Sequence, residues 1–297
     1  MKRNRYLVTG ITGQVVSSLF ETARERHDIQ LISIGRPELD LSTVAEIAPA
    51  IEAMRPDVIL SVAAYTAVDT AEGDEALALA INGTAPGEIA KAASRLGVPL
   101  VHMSTDYVFD GEKSTPYLET DQPGPINAYG RTKLAGEEAL ANETQDFAIL
   151  RTAWVYSPFG KNFVKTMLRL AETRDSIGIV ADQIGNPTSA LDIAEGILRV
   201  ADNLLNSSDS GLRGLFHMTG AGDAAWSDFA TEIFKVSSAL GGPSAKVDRI
   251  PSSAYPTPAK RPKNSRLDCG RLERAHGFRP RNWQQSTEVV VRRLVSQ

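Results

Sequence analysis

The sequence predicts an α/β protein organised on a doubly wound parallel sheet, with a smaller, mainly C-terminal lobe. Three observations predict it. The first half alternates short apolar runs with amphipathic stretches, a glycine-punctuated turn follows the first run, and the pattern loosens beyond Arg151. Apolar runs at 6–8, 31–34, 58–62, 100–103 and 147–150 read as buried strands, because strands covered on both faces need no polar alternation. Between them, 14–26, 44–54, 85–96 and 129–141 carry helical spacing, and parallel strands require such crossovers. Thr43-Val44-Ala45-Glu46 has the Thr-x-x-Glu form of a capping box at the start of the second helix.

Beyond Arg151, helical patterns at 162–173, 191–204, 228–240 and 283–295 are separated by loops rich in Pro, Gly and Ser, above all 241–262. The expected division makes residues 1–152 one unit, its sheet completed by parts of 175–220. Residues 153–297 then form most of the second lobe, with the chain crossing between lobes.

The 297 residues suffice for a large core, and contents of 42% hydrophobic and 23% charged residues exclude a disordered or collagen-like chain. No run approaches the ~18 apolar residues of a membrane span, so no membrane partner is expected. The basic start Met1-Lys2-Arg3-Asn4-Arg5 is followed by only Tyr6-Leu7-Val8 before Thr9-Gly10, which leaves no room for an export signal core. Cys269 is the single cysteine; it excludes an intramolecular disulfide and a Cys-based zinc site, and a cytoplasmic setting is expected. A net charge of −4 argues against a nucleic-acid partner. Lys260, Arg261, Lys263 and Arg266 still form a local basic cluster, readable either as a solvated loop or as a diphosphate clamp. The four histidines show no metal-ligand spacing, and His102 reads as a core residue.

The stretch Tyr6-Leu7-Val8-Thr9-Gly10-Ile11-Thr12-Gly13-Gln14 reads as strand, tight turn and helix start, the Rossmann-like entry to a dinucleotide site. Gly10 permits the turn, and Gly13 lets the backbone approach a pyrophosphate lying on the helix N-terminus. Gly10, Thr12, Gly13, Gln14 and Val15 are therefore candidate cofactor-binding residues. Val16 occupies the third glycine position, and its β-branched side chain is expected to weaken cofactor affinity. At the end of the second strand, where an acidic residue would take the ribose 2′-hydroxyl of NAD, the sequence has Arg36. A guanidinium pairs with a 2′-phosphate, so Arg36 favours NADPH, with NADH as the alternative.

On a helix, Tyr129 and Lys133 share one face about a turn apart. A phenol near pKa ~10 is a weak acid at neutral pH, and a neighbouring cation pulls it toward the working range. The pair predicts proton donation to a carbonyl.

These features sit in longer motifs: Ala63-Ala64-Tyr65-Thr66-Ala67-Val68-Asp69, Ser104-Thr105-Asp106-Tyr107-Val108-Phe109-Asp110-Gly111, Arg151-Thr152-x-Trp154-Val155-Tyr156, Asp182-Gln183-x-Gly185-x-Pro187-Thr188 and Arg261-Pro262. Through nearly its whole length the chain resembles the extended short-chain dehydrogenase/reductases. The resemblance implies NADPH-dependent reduction of the 4-keto group of a nucleotide-linked deoxysugar, with dTDP-4-dehydro-L-rhamnose as the implied substrate. Thr105, Tyr129 and Lys133 are its implied catalytic set, with Ser104 the rival hydroxyl for the carbonyl oxygen. Ala63, Ala64, Tyr65 and Asn82 are implied around the cofactor, Asp40 and Leu41 at its adenine, and Tyr129 and Lys133 at its nicotinamide end. Ser104, Thr105, Tyr107, Tyr129 and Trp154 are implied around the sugar. Some members hold Mg²⁺ at a dimer interface through glutamates; Ser17-Ser18 stands in that region here, so no metal is expected, and a homodimer is left open. The alternatives are an NADP-binding regulatory subunit, resembling the β-subunit of methionine adenosyltransferase, and a reductase of another nucleotide sugar.

Overall fold

The computed structural model describes residues 3–296; Met1 and Lys2 of the basic start lie outside the described residues, as does Gln297. Six parallel strands form the central sheet: β1 (Asn4–Thr9), β2 (Ile29–Ile34), β3 (Val58–Ser61), β4 (Leu100–Thr105), β5 (Phe147–Thr152) and β6 (Gly214–His217). Their spatial order is β6-β5-β4-β3-β1-β2. The principal helices are α1 (Gln14–Thr22), α2 (Val44–Met54), α3 (Ala85–Leu96), α4 (Ala128–Glu143), α5 (Phe163–Ala171), α6 (Ala190–Asn206), α7 (Trp226–Ala239), α8 (Gly270–His276) and α9 (Trp283–Val295).

Side-chain alternation splits the sheet between two cores. Tyr6, Val8, Leu60 and Leu150 bury against α1 and α6, whereas Leu7, Ile59, Leu100 and Ile149 bury under α2 and α3. From β1 the chain steps outward to β2, then returns past β1 to β3. Strand order therefore reverses between β1 and β3, and their carboxyl ends open the crevice where such sheets take ligands.

The helix expected over 14–26 is shorter. Gln14–Thr22 is α-helical and Ala23–Glu25 tightens to a 3₁₀ turn, a common helix ending. Arg26 leaves in extended conformation and reaches Asp28 at 2.8 Å and Asp202 at 3.1 Å. The capping box expected at Thr43 is not formed. With Thr43 at φ −95°, ψ 74°, its backbone carbonyl, not its hydroxyl, receives the Glu46 N–H at 3.0 Å.

The second lobe packs α5, α7 and α9 with a parallel strand pair, Ser176–Val180 and Lys246–Ile250, around Phe229, Ile233, Met167 and Trp283. No helix among the described residues is long and apolar enough to cross a membrane.

Candidate active site

A cavity of about 710 Å³ opens at the strand-order reversal, between the sheet and the second lobe. Its floor is the glycine turn. Gly10 and Gly13 take φ values of 92° and 116°, which side chains on L-residues rarely allow. A Cβ on Gly13 would meet nothing within 4 Å, so the turn faces open space, and α1 starts there with no side-chain cap. The first N–H groups of α1 thus point at the cavity without an intrahelical partner, the geometry of an anion site.

Thr12, Gly13, Gln14, Val15, Ala63, Ala64 and Arg36 line this cavity. Gly10 lies behind it, its N–H donating to the Ile34 carbonyl at 2.6 Å, and a Cβ there would stand 3.4 Å from Ala63 Cβ. The Gln14 side chain turns toward the second lobe, accepting from Ser157 Oγ at 2.9 Å and Asn162 Nδ2 at 3.0 Å. Val16 also lines the cavity, but its side chain is 5% exposed and belongs to the core beneath α1.

Four expected cofactor residues are not brought to the cavity wall. Asn82 is buried, its amide accepting from Tyr65 N–H at 2.8 Å and donating to the Tyr65 carbonyl at 3.0 Å. This clamp shapes the segment after β3 and draws Tyr65 toward Ala71, Ala78 and Ala128. Asp40 spends its carboxylate on the Ser42 N–H and hydroxyl, at 2.9 and 2.7 Å, while Leu41 packs against the core under α2.

Helix α4 carries the catalytic candidates. Asn127 caps it, its Oδ1 accepting the Gly130 N–H at 2.8 Å. Gly130 allows close docking, since a Cβ there would lie 2.1 Å from the Tyr107 carbonyl oxygen. Tyr129 consequently meets Tyr107 edge to face at 5.8 Å and lies under the influence of the Thr105 hydroxyl. Lys133 is 2% exposed; its Nζ donates to the Met103 carbonyl at 2.6 Å and sits 3.4 Å from His102 Nε2. Burial brings the Lys133 ammonium down to about 8. His102 is held neutral by burial and by that cation, with Ser61 Oγ 3.0 Å from its other ring nitrogen.

The expectation that Lys133 depresses the Tyr129 phenol is corrected in the ligand-free protein. Burial, then the Asp106 carboxylate, push the phenol up to about 12, with Thr105 pulling it back. Lys133 spends its donors on β4 instead.

The two candidate hydroxyls differ. Ser104 Oγ is committed to Glu137 Oε1 at 2.5 Å, whereas Thr105 Oγ1 accepts from Tyr107 N–H at 3.2 Å and donates to Asp106 Oδ1 at 2.9 Å. Asp106 was overlooked although it stands inside a quoted motif. It lines the cavity at 3% exposure, and burial raises its carboxyl to about 7. Tyr107 and Trp154 line the wall opposite the turn. Trp154, at φ 46°, stacks on Trp226 with centroids 3.6 Å apart. A Cβ on Gly185 would strike the Trp154 ring at 2.5 Å, which explains that glycine. Trp226 had no local signal, being distant in sequence. The basic cluster does not converge: Arg261 pairs with Asp69 at 2.8 Å, and Arg266 turns to Asn264 and Asp223 elsewhere. Among the described residues no group of three His, Cys, Asp or Glu is placed to hold a metal ion.

This combination of turn, paired Tyr and Lys, and second-lobe tryptophan has known counterparts. The family model described as the RmlD substrate binding domain matches residues 4–296. The chain belongs to that family. A dTDP-4-dehydrorhamnose reductase of Sinorhizobium fredii (strain NBRC 101917 / NGR234) is 49% identical over 287 residues, covering 97% of this chain and 96% of the relative. Among solved structures in the family, a dTDP-4-dehydrorhamnose reductase of Clostridium acetobutylicum ATCC 824 superposes with a TM-score of 0.89 at 38% identity, covering 98% of this chain and 99% of that one. A dTDP-4-dehydrorhamnose reductase of Bacillus anthracis str. Ames, in complex with NADP, gives 0.90 at 32% identity, covering 98% and 100%.

Proposed function

We propose that the protein reduces the 4-keto group of dTDP-4-dehydro-L-rhamnose with NADPH, yielding dTDP-L-rhamnose. One observation carries the reading: Thr105, Tyr129 and Lys133 all reach the cavity whose floor is the glycine turn and the uncapped start of α1. Family membership adds the substrate, as every relative named above is a dTDP-4-dehydrorhamnose reductase.

The residues fit a dinucleotide. Open space at Gly13 and the free N–H groups of α1 suit a pyrophosphate, small Ala63 and Ala64 leave room beside it, and Arg36 suits a 2′-phosphate. When bound, the cofactor supplies the hydride. Tyr129 then gives the proton that the growing charge on the ketone oxygen demands. Lys133, one turn along α4, is the cation that lowers the cost of leaving a phenolate behind and holds the ribose. Thr105 orients the oxygen; its proton, given to Asp106 in the ligand-free protein, is the one a ketone would compete for. Tyr107 and Trp154 offer ring faces to the sugar.

In this reading residues 1–152, with parts of 175–220, hold the dinucleotide, and 153–297 mainly hold the nucleotide sugar. The setting is the cytoplasm, the partner is a small molecule and not nucleic acid, and a homodimer is checked by sedimentation. The deciding experiment adds dTDP-4-dehydro-L-rhamnose and NADPH to purified protein, follows nicotinamide absorbance and identifies the sugar. Substrate-dependent NADPH oxidation with dTDP-L-rhamnose as product is expected; unconsumed NADPH would sink the proposal.

A further inference from the structure

The end of β4 is tied to α4 residue by residue. Tyr129, Lys133 and Glu137 repeat every four residues and so share a helix face. Thr105 acts on Tyr129, the Met103 carbonyl accepts from Lys133 at 2.6 Å, and Ser104 Oγ donates to Glu137 Oε1 at 2.5 Å. The third tie is closed from the next strand. Ser104 and Arg151 are register partners on β4 and β5, and Arg151 grips Glu137 through Nε at 2.9 Å and Nη2 at 2.5 Å. Side-chain exposures are 3% for Arg151 and 7% for Glu137, and the guanidinium stacks over Phe109 at 5.0 Å.

A buried ion pair is weak evidence for stability, because apolar replacements of similar volume often serve as well or better. What this pair does that apolar residues could not is hold the Ser104 hydroxyl from one side and present a carboxylate one turn beyond Lys133. We propose that Glu137 is a positioning residue for the reduction, keeping the Ser104–Thr105 strand end and the Lys133 ammonium in the register that proton transfer from Tyr129 needs. The proposal rests on the reductase reading. Other titratable or charged groups facing this cluster are His102 from β4, beside Lys133, and His217 from β6, beside Arg151.

The test is Glu137→Gln, which keeps shape and removes the charge. With the variant folded by circular dichroism, kcat should fall roughly 10-fold to 100-fold, the scale of misplaced catalytic groups. The alkaline loss of kcat/KM should begin at lower pH than in the wild type, since Glu137 favours the charged Lys133. NMR of labelled lysine in the ligand-free variant should show Lys133 titrating lower. If Arg151 left bare prevents folding, Glu137→Gln with Arg151→Met removes both charges, and Ser104→Ala cuts one tie alone. Each should lower kcat while the NADPH dissociation constant, read by protein fluorescence, stays within about threefold, a split that lost stability alone does not produce. Wild-type kcat and an unmoved Lys133 titration in a folded Glu137 variant, or wild-type kcat in Ser104→Ala and the double variant, would overturn the proposal. An inactive wild type would instead sink the reductase reading.

Discussion

At Tyr129 the ligand-free chemistry runs against catalysis: the phenol is pushed up to about 12 while Lys133, its presumed helper, is brought down to about 8. Both shifts have burial as their largest cause, so the pair reaches working order only when a bound ligand supplies new partners for the two groups. If Tyr129 gives the proton, Tyr129→Phe lowers kcat by roughly 10²–10⁴-fold with NADPH binding largely retained; near-wild-type turnover would remove Tyr129 from that role. Arg36 is exposed at the cavity edge, where nothing else on the wall selects a 2′-phosphate. Comparing kcat/KM for NADPH and NADH should show a preference for NADPH, eroded by about 1–3 kcal/mol in Arg36→Ala. An enzyme indifferent to this change takes its cofactor choice from elsewhere. The Tyr/Lys pair was legible because helix spacing alone puts both on one face. Asp106 was not, since a carboxylate in a loop motif shows neither its burial nor its bond to Thr105.

Two helices place these residues, and each makes a prediction. Asn127 Oδ1 caps α4 and its Nδ2 donates to the Lys260 carbonyl at 2.8 Å, so one side chain fixes both the helix start and the loop from the second lobe. Asn127→Ala should cost about 1–2 kcal/mol in urea unfolding, and kcat should drop with it because Tyr129 sits in the first turn. Unchanged stability would mean that water replaces the cap. In α1, Val16 looked like an intruder on the phosphate turn, but its side chain packs into the core and its Cγ2 would lie 3.6 Å from a Cβ on Gly10. Val16→Gly should therefore destabilise by about 2–4 kcal/mol, combining helix propensity with a cavity, and leave the NADPH dissociation constant of the folded fraction unchanged. Tighter binding in the variant would restore the crowding expected from sequence. Apolar runs revealed the first five strands, since a run buried on both faces is a strong local signal. The four residues of β6 carry too little pattern, and the failed cap at Thr43 turned on backbone angles that a motif does not encode.

Across the whole molecule, contacts distant in sequence join the lobes: Gln14 meets Ser157 and Asn162, Glu21 holds Arg293 at 2.6 and 2.8 Å, and Trp154 stacks on Trp226. None of these was legible, because each pairs residues whose spacing follows only from the fold. The buried cation at the centre of this assembly gives a global signature. Lys133 titrates near ~10.4 when unfolded and about 8 when folded, so between those values the unfolded chain binds more protons and stability must rise with pH. Below about pH 8 both states hold the proton, and the folded protein bears the full cost of an ammonium out of water. The difference in unfolding free energy between the ligand-free wild type and Lys133→Met isolates this effect from other titrations. Relative to the variant, the wild type should gain up to about 3 kcal/mol between pH 8 and 10.5, following the size of the shift. Urea melts of both proteins across that range provide the measurement. A flat difference would show that Lys133 keeps its proton in the folded state, held by the Met103 carbonyl and His102 more firmly than burial opposes it.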